Sequence, residues 1–181
     1  MWTGYKNSRI HGPKPKAAAP AAAPALASPG AASASGPVAA ETPAPAAATT
    51  EGDTVVVTLK PGALNPMSFD VITFTAKAGQ KVKLTFNNDS TAPLQHNLVM
   101  GVIGSKERLI AAANGMMSDM PTWMGKGFIP EGPDVLHHTK LLNPKETETL
   151  EFTAPAEKGS YPYLCTFPGH SAIMQGTMIV E

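Results

Sequence analysis

Cysteine is almost absent from this chain of 181 residues, which has one, Cys165. A single thiol closes no disulfide within the chain, so a disulfide-stapled secreted scaffold is excluded, as is a structural zinc site built mainly from cysteines. Charge of one sign is lacking too. The 14 Lys+Arg balance 14 Asp+Glu, which argues against a basic nucleic-acid binder. Long apolar runs are missing. The uncharged stretch over residues 17–40 is long enough to span a bilayer, but it holds four prolines and almost no Leu, Ile, Val or Phe. It is not a transmembrane helix.

What is present is unevenly distributed. Residues 17–50 comprise 34 residues, of which 17 are Ala and 6 are Pro. The prolines interrupt any helix the alanines favour, and no large apolar side chains recur to build a core. Residues 1–50 carry four Lys/Arg and one acid, a net +3, whereas residues 51–181 carry 10 against 13, a net −3. The chain therefore divides into a disordered arm over residues 1–52, basic and then Ala/Pro-rich, and a folded domain over residues 53–181. The arm reads as a tail or linker, and as a candidate tether to a membrane or a larger complex. Ala25-Leu26-Ala27 resembles a leader cleavage site, but Pro20 and Pro24 break the segment before it. No convincing signal peptide results, and a processed or truncated amino terminus is an equal reading.

The remainder predicts an all-β domain. Residues 81–86 alternate apolar and polar strictly, as a half-buried strand does. Further strands are expected over residues 54–60, 67–76, 94–101, 135–142, 146–153, 160–165 and 176–180. About eight short strands separated by turn residues such as Asn87-Asn88-Asp89-Ser90 suggest a β-sandwich. Residues 105–124 break the pattern. Leu109, Ile110, Ala113, Met116, Met117, Met120 and Met124 recur at helical spacing and predict a helical insertion, interrupted near Gly115 and Pro121. Its methionines read as packing side chains, with a Cu(I)-binding cluster as the alternative.

The chemistry concentrates around the one cysteine. Cys165, His170 and Met174 form Cys-x4-His-x3-Met between two strands, and Pro168-Gly169 supplies a turn that folds the loop around one point. Gln95-His96-Asn97 offers a second imidazole. Two His and one Cys, with a weak axial Met, are the ligand set of a type 1 blue-copper site. Taken singly, each residue has a bland reading: the Cys as a small hydrophobe, the His as structural, the Met as core. Their joint spacing argues for the metal.

Cys165 to Met174, CTFPGHSAIM, resembles the ligand loop of azurins, and Val135–Leu141 resembles the azurin stretch before the following strand. Gln95-His96-Asn97 is more similar to auracyanins. The resemblance covers about residues 54–181 and implies a cupredoxin fold, a Greek-key β-sandwich. It implies one copper ion held by His96, Cys165, His170 and, axially, Met174, with the backbone carbonyl of Gln95 as a weak contact on the other side. Asn97 and Thr166 would tie the ligand strand to the cysteine loop. The chain departs from azurins in three ways: no disulfide, Leu98 in place of Trp, and no His within residues 87–91. The last implies a potential less dependent on pH.

The resemblance makes the protein a one-electron carrier, not an enzyme, that shuttles between protein redox partners of respiratory or photosynthetic chains. A monomeric domain in the periplasm or at the cell surface is expected, with the arm as a peripheral membrane tether. His170 would present its outer edge to solvent within a docking patch of Met67, Leu94, Phe167, Pro168 and Ala172. The alternative is a copper-handling or storage protein that uses the methionine-rich insertion. His137 and His138 invite thought of a second metal centre. Adjacent strand residues point to opposite faces, so the pair reads as structural or surface residues.

Overall fold

The computed structural model describes residues 48–181, and the readings of the arm over residues 1–47 lie outside them. In chain order the elements are β1 (Ala48–Glu51), β2 (Thr54–Leu59), β3 (Thr73–Ala76), β4 (Lys81–Asn87) and β5 (Val99–Gly101). Then come α1 (Lys106–Gly115), a 3-10 turn (Met116–Asp119), α2 (Met120–Gly125), β6 (Val135–His138), β7 (Thr147–Thr153), β8 (Gly159–Leu164) and β9 (Gln175–Val180). One sheet has the order β1-β2-β4-β7 and the other β3-β9-β8-β5-β6. The β2/β4 and β3/β9 pairs are parallel and the remaining neighbours antiparallel. This is the expected β-sandwich, with nine strands among the described residues.

Alternation builds the core. On β4, Val82, Leu84 and Phe86 turn inward while Lys81 and Lys83 face solvent. They meet Phe74, Tyr161, Tyr163, Met178 and Val180 of the second sheet in one apolar cluster that also takes in Cys165 and Met174. Tyr163 is fully buried. Its hydroxyl donates to the Val71 carbonyl at 2.7 Å, and its ring lies edge-on to Phe69 at 5.4 Å.

Several boundaries differ from expectation. β1 lies inside the stretch assigned to the arm, so among the described residues the first strand starts at Ala48 and not after residue 52. Thr49 and Thr50 pair with Val56 and Val55, and the hairpin turns at Gly52, which sits at φ +62. The strand expected over residues 67–76 shortens to Thr73–Ala76. The Asp70 carboxylate accepts from the backbone N–H groups of Lys60 and Val71 and diverts the chain into a loop. The strand expected over residues 94–101 shortens to Val99–Gly101, and His96 makes an isolated bridge with Leu142. There the ladder gives way to side chains, as when Thr139 Oγ1 accepts from Leu98 N–H at 2.9 Å.

The insertion covers the outer face of the second sheet. Leu109 of α1 packs on Val99 and Leu164, with Ile110, Ile129 and Val135 around them. Gly115 is the last residue of α1, and Pro121 falls in the first turn of α2, where its missing N–H costs nothing. The methionine reading needs correction. Met116 is buried, but Met117, Met120 and Met124 are exposed, because the α1 face that meets the sheet ends with Leu109, Ala113 and Met116.

Gly176 on β9 pairs with Tyr163 on β8, and a Cβ at this position would run into the Tyr163 ring. Gly176→Ala is therefore expected to destabilise the metal-free protein by about 1–3 kcal/mol, the usual cost of overpacking a filled core. The midpoint of urea unfolding, with the denaturant slope unchanged, measures it.

Candidate metal centre

Cys165 follows the last residue of β8, and Met174 precedes the first residue of β9. The loop between them is closed like a hairpin. Leu164 pairs with Gln175, and Cys165 N–H then donates to the Met174 carbonyl at 3.0 Å. Inside the loop, His170 N–H donates to the Phe167 carbonyl at 3.0 Å, across a turn whose Gly169 has φ +82. Met174 N–H donates to the His170 carbonyl at 2.8 Å. The loop thus folds its two ligand candidates, His170 and Met174, back over Cys165, and Met174 is buried.

His96 arrives from the other side, anchored by its bridge to Leu142. Its Nδ1 lies 3.9 Å from Cys165 Sγ, and His170 Nδ1 lies 3.5 Å from the same sulfur. One ligand atom from each of the three residues falls within 4.8 Å of the others. The two ring centroids are 4.9 Å apart. Separations of this size suit donor atoms sharing one ion at about 2.0–2.3 Å.

The electrostatics fit a cation. Burial drives the Cys165 thiol up to about 12, although backbone N–H groups of Asn97 and Phe167 pull in the other direction. Burial, and then the neighbouring His170, lowers His96 from 6.5 to about 4. Burial also lowers His170. Both imidazoles are thereby kept neutral, the form that ligates metal, and the thiol waits for a positive charge to make it a thiolate. The three groups fit copper: soft sulfur, borderline nitrogen, and a dry setting.

The surrounding contacts fix these groups. Asn97 Oδ1 accepts from Thr166 N–H at 2.8 Å and lies 3.1 Å from Thr166 Oγ1, the tie expected of these two residues. A third member was not foreseen. The carbonyl of Phe128 accepts from Thr166 Oγ1 at 2.6 Å, while Asn97 Nδ2 donates to the Gly127 carbonyl at 2.9 Å. Gly127 and Phe128 are both left-handed, at φ +64 and +54. The fully buried Phe128 ring stands edge-on to Phe167 at 5.3 Å, and Phe167 lies 4.9 Å from the His170 ring. The exit of the helical insertion therefore braces the ligand loop. Gly127 hints at a turn in the sequence, but nothing there connects it with Cys165.

Among the three grouped residues, His170 is 4% exposed while His96 and Cys165 are at 0%. Of the expected docking residues, Met67, Leu94, Phe167 and Pro168 are half-buried and Ala172 is exposed. Ile173, 53% exposed in the same loop, was not anticipated. Gln95 is tied by its side chain, whose Nε2 donates to Asn143 Oδ1 at 2.8 Å. His137 stacks on Phe152 at 4.3 Å, and His138 is exposed beside it. The two rings thus lie in different surroundings, in keeping with structural and surface roles.

The His96 shift has a consequence for the metal-free protein. The unfolded chain protonates this histidine near pH 6.5 and the folded chain only near 4. Between these values the unfolded state binds the extra proton. Stability is full above about pH 6.5 and falls as pH drops toward 4, by about 3 kcal/mol from this residue. Urea titrations at a series of pH values measure the slope, and a flat profile over this window would contradict the assignment.

A model of copper-binding proteins of the plastocyanin/azurin family matches residues 53–181. Auracyanin-A of Chloroflexus aurantiacus is 36% identical over 116 residues, which cover 64% of this chain and 68% of that protein. Azurin of Pseudomonas aeruginosa is 35% identical over 99 residues, covering 50% of this chain and 77% of that protein. Auracyanin-B of Chloroflexus aurantiacus is 34% identical over 134 residues, 72% of this chain and 53% of the relative. Among solved structures, auracyanin A, described as a "blue" copper protein from Chloroflexus aurantiacus, superposes with a TM-score of 0.61 at 33% identity, over 71% of this chain and 99% of that one. Auracyanin B superposes with a TM-score of 0.59 at 30% identity, over 75% and 95%. The chain belongs to the plastocyanin/azurin family of copper-binding proteins and is a blue-copper cupredoxin.

Proposed function

We propose that this protein carries single electrons between protein redox partners through one copper ion, and is not an enzyme. His96 and His170 through Nδ1 and Cys165 through Sγ would hold the ion, with Met174 as a further ligand and the Gln95 carbonyl as a weak contact. Bound copper supplies a centre that takes up or gives away one electron while no bond forms in a substrate. The observation that carries this reading is the convergence of Cys165 Sγ with two Nδ1 atoms at 3.5 and 3.9 Å in a buried setting.

The chain's own residues do the rest. The closed β8–β9 loop and the Asn97–Thr166–Phe128 contacts keep the ligand atoms in place when the charge changes, so little reorganisation accompanies transfer. Burial excludes water. His170, the one of the three with any exposure, serves as the portal. Phe167, Pro168 and Ala172 around it, with Met67 and Leu94 on neighbouring loops, give an apolar docking patch suited to brief contacts. Ile173 extends this patch. We place the protein outside the cytoplasm, in the periplasm or at the cell surface, as a monomeric domain on an arm that gives reach and a peripheral tether.

Adding one equivalent of Cu(II) to the purified protein is expected to give an intense blue thiolate-to-copper absorption that disappears on reduction. Cys165→Ser should abolish it. Absence of the colour, or uptake of several Cu(I) ions without it, would sink the carrier reading. Multiple uptake would favour copper handling by the exposed Met117, Met120 and Met124.

A further inference from the structure

A metal-ligating histidine ordinarily gives its second ring N–H to an outer partner that fixes the ring's orientation. His170 has no such partner among the described residues. Its ring comes within hydrogen-bond distance only of Cys165 Sγ, at 3.5 Å. The backbone bonds of the loop place its Cα and leave the orientation of the ring to packing. Two rings pack on it: His96, a member of the same centre, at 4.9 Å, and Phe167 at 4.9 Å with planes inclined by 46°. Phe167 is only half-buried and lies in the turn completed by Gly169, so it orients a neighbour only if it is held in turn.

Phe128 holds it. Its ring is fully buried and stands edge-on to Phe167 at 5.3 Å and 73°. Edge-on rings with centroids about 4.5–7 Å apart attract one another. The backbone of Phe128 sits at φ +54, which glycine adopts freely and a bulky residue only at a cost. Such strain persists where the surroundings impose it, and it gathers at functional sites. Here the surroundings are on the page. Phe128 N–H donates to the Trp123 carbonyl of α2 at 2.8 Å, and its own carbonyl accepts from Thr166 Oγ1 at 2.6 Å. One residue thus grips two consecutive residues of the ligand loop, Thr166 by its carbonyl and Phe167 by its ring. Glycine would relieve the strain and keep the carbonyl, but it has no ring to offer.

We infer that Phe128 is a positioning residue for the metal centre, its ring holding Phe167 and, through Phe167, the His170 ring in the orientation that turns Nδ1 to Cys165. This rests on the proposed ligand role of His170. Packing here takes the place of the missing outer hydrogen bond.

Aromatic 13C relaxation and ring-to-ring nuclear Overhauser contacts of the reduced, metal-free protein measure the hold directly. In the wild type the His170 ring is expected to be rigid on the ps–ns timescale and to show the Phe128–Phe167 and Phe167–His170 contacts. Phe128→Leu keeps an apolar side chain but no ring. It should set the His170 ring moving and weaken its contact with Phe167. With copper it should still turn blue, because every ligand remains, while its affinity falls by about 10-fold, the low end for loss of an outer contact. A role confined to filling the core predicts instead that Val55→Ala, a truncation of a buried residue on β2, mobilises His170 as much at equal loss of stability. A mobile His170 ring in the wild type, an unchanged ring in Phe128→Leu, or equal mobility in Val55→Ala would overturn the inference. Should Phe128→Leu fail to fold, the wild-type contacts and Phe167→Leu, which breaks the same chain one link nearer the surface and must mobilise His170, decide it. Failure of the wild type to turn blue with Cu(II) would refute the ligand reading beneath this inference; a mobile ring in a wild type that does turn blue refutes the inference alone.

Discussion

A thiol lies 3.5 and 3.9 Å from two imidazole nitrogens in a region closed to water. Left to themselves, such groups would be satisfied by water or by ordinary hydrogen bonds, since an unsatisfied buried polar group costs about 1–3 kcal/mol. The chain must therefore hold them together against their own hydration. Much of the architecture answers that demand. The sandwich supplies a dense apolar interior, and Cys165 joins its edge as one more member of the cluster around Tyr163 and Phe86.

Two separate parts of the chain converge to impose the arrangement. The β8–β9 hairpin fixes the relative positions of Cys165, His170 and Met174 through backbone bonds that stay within residues 164–175. His96 belongs to a different approach, and its orientation relative to the loop depends on Asn97, Thr166 and Phe128. The helical insertion contributes twice: α1 covers Leu164 on the outer side of β8, and the left-handed Gly127-Phe128 exit reaches the loop itself. A segment that looks peripheral in the topology thus bears on the centre.

The sequence displayed the site more clearly than the frame. Cys165, His170 and Met174 stand within ten residues, so their spacing is visible along the chain, and the strict alternation on β4 reveals the sandwich. The shortened strands were hidden because side chains such as Asp70 and Thr139 replace ladder bonds with their own, a substitution that propensity does not register. β1 was lost in alanine-rich sequence whose pairing with Val55 and Val56 is tertiary. Phe128 acts on Thr166 across 38 positions through its backbone carbonyl, and such a long-range bond leaves no local pattern. The insertion's methionines show the same limit in reverse: helical spacing identified the element but not which part of it the sheet would cover.

The slight exposure of His170 has a consequence for traffic. With His96 and Cys165 sealed and His170 slightly exposed, a carrier of the proposed kind would have one door among these three residues. Donor and acceptor would then use it in succession, so each would compete with the other, and an excess of either would slow the relay. Such a carrier would be a ferry and not a bridge, its throughput governed by how fast it leaves one bank for the other.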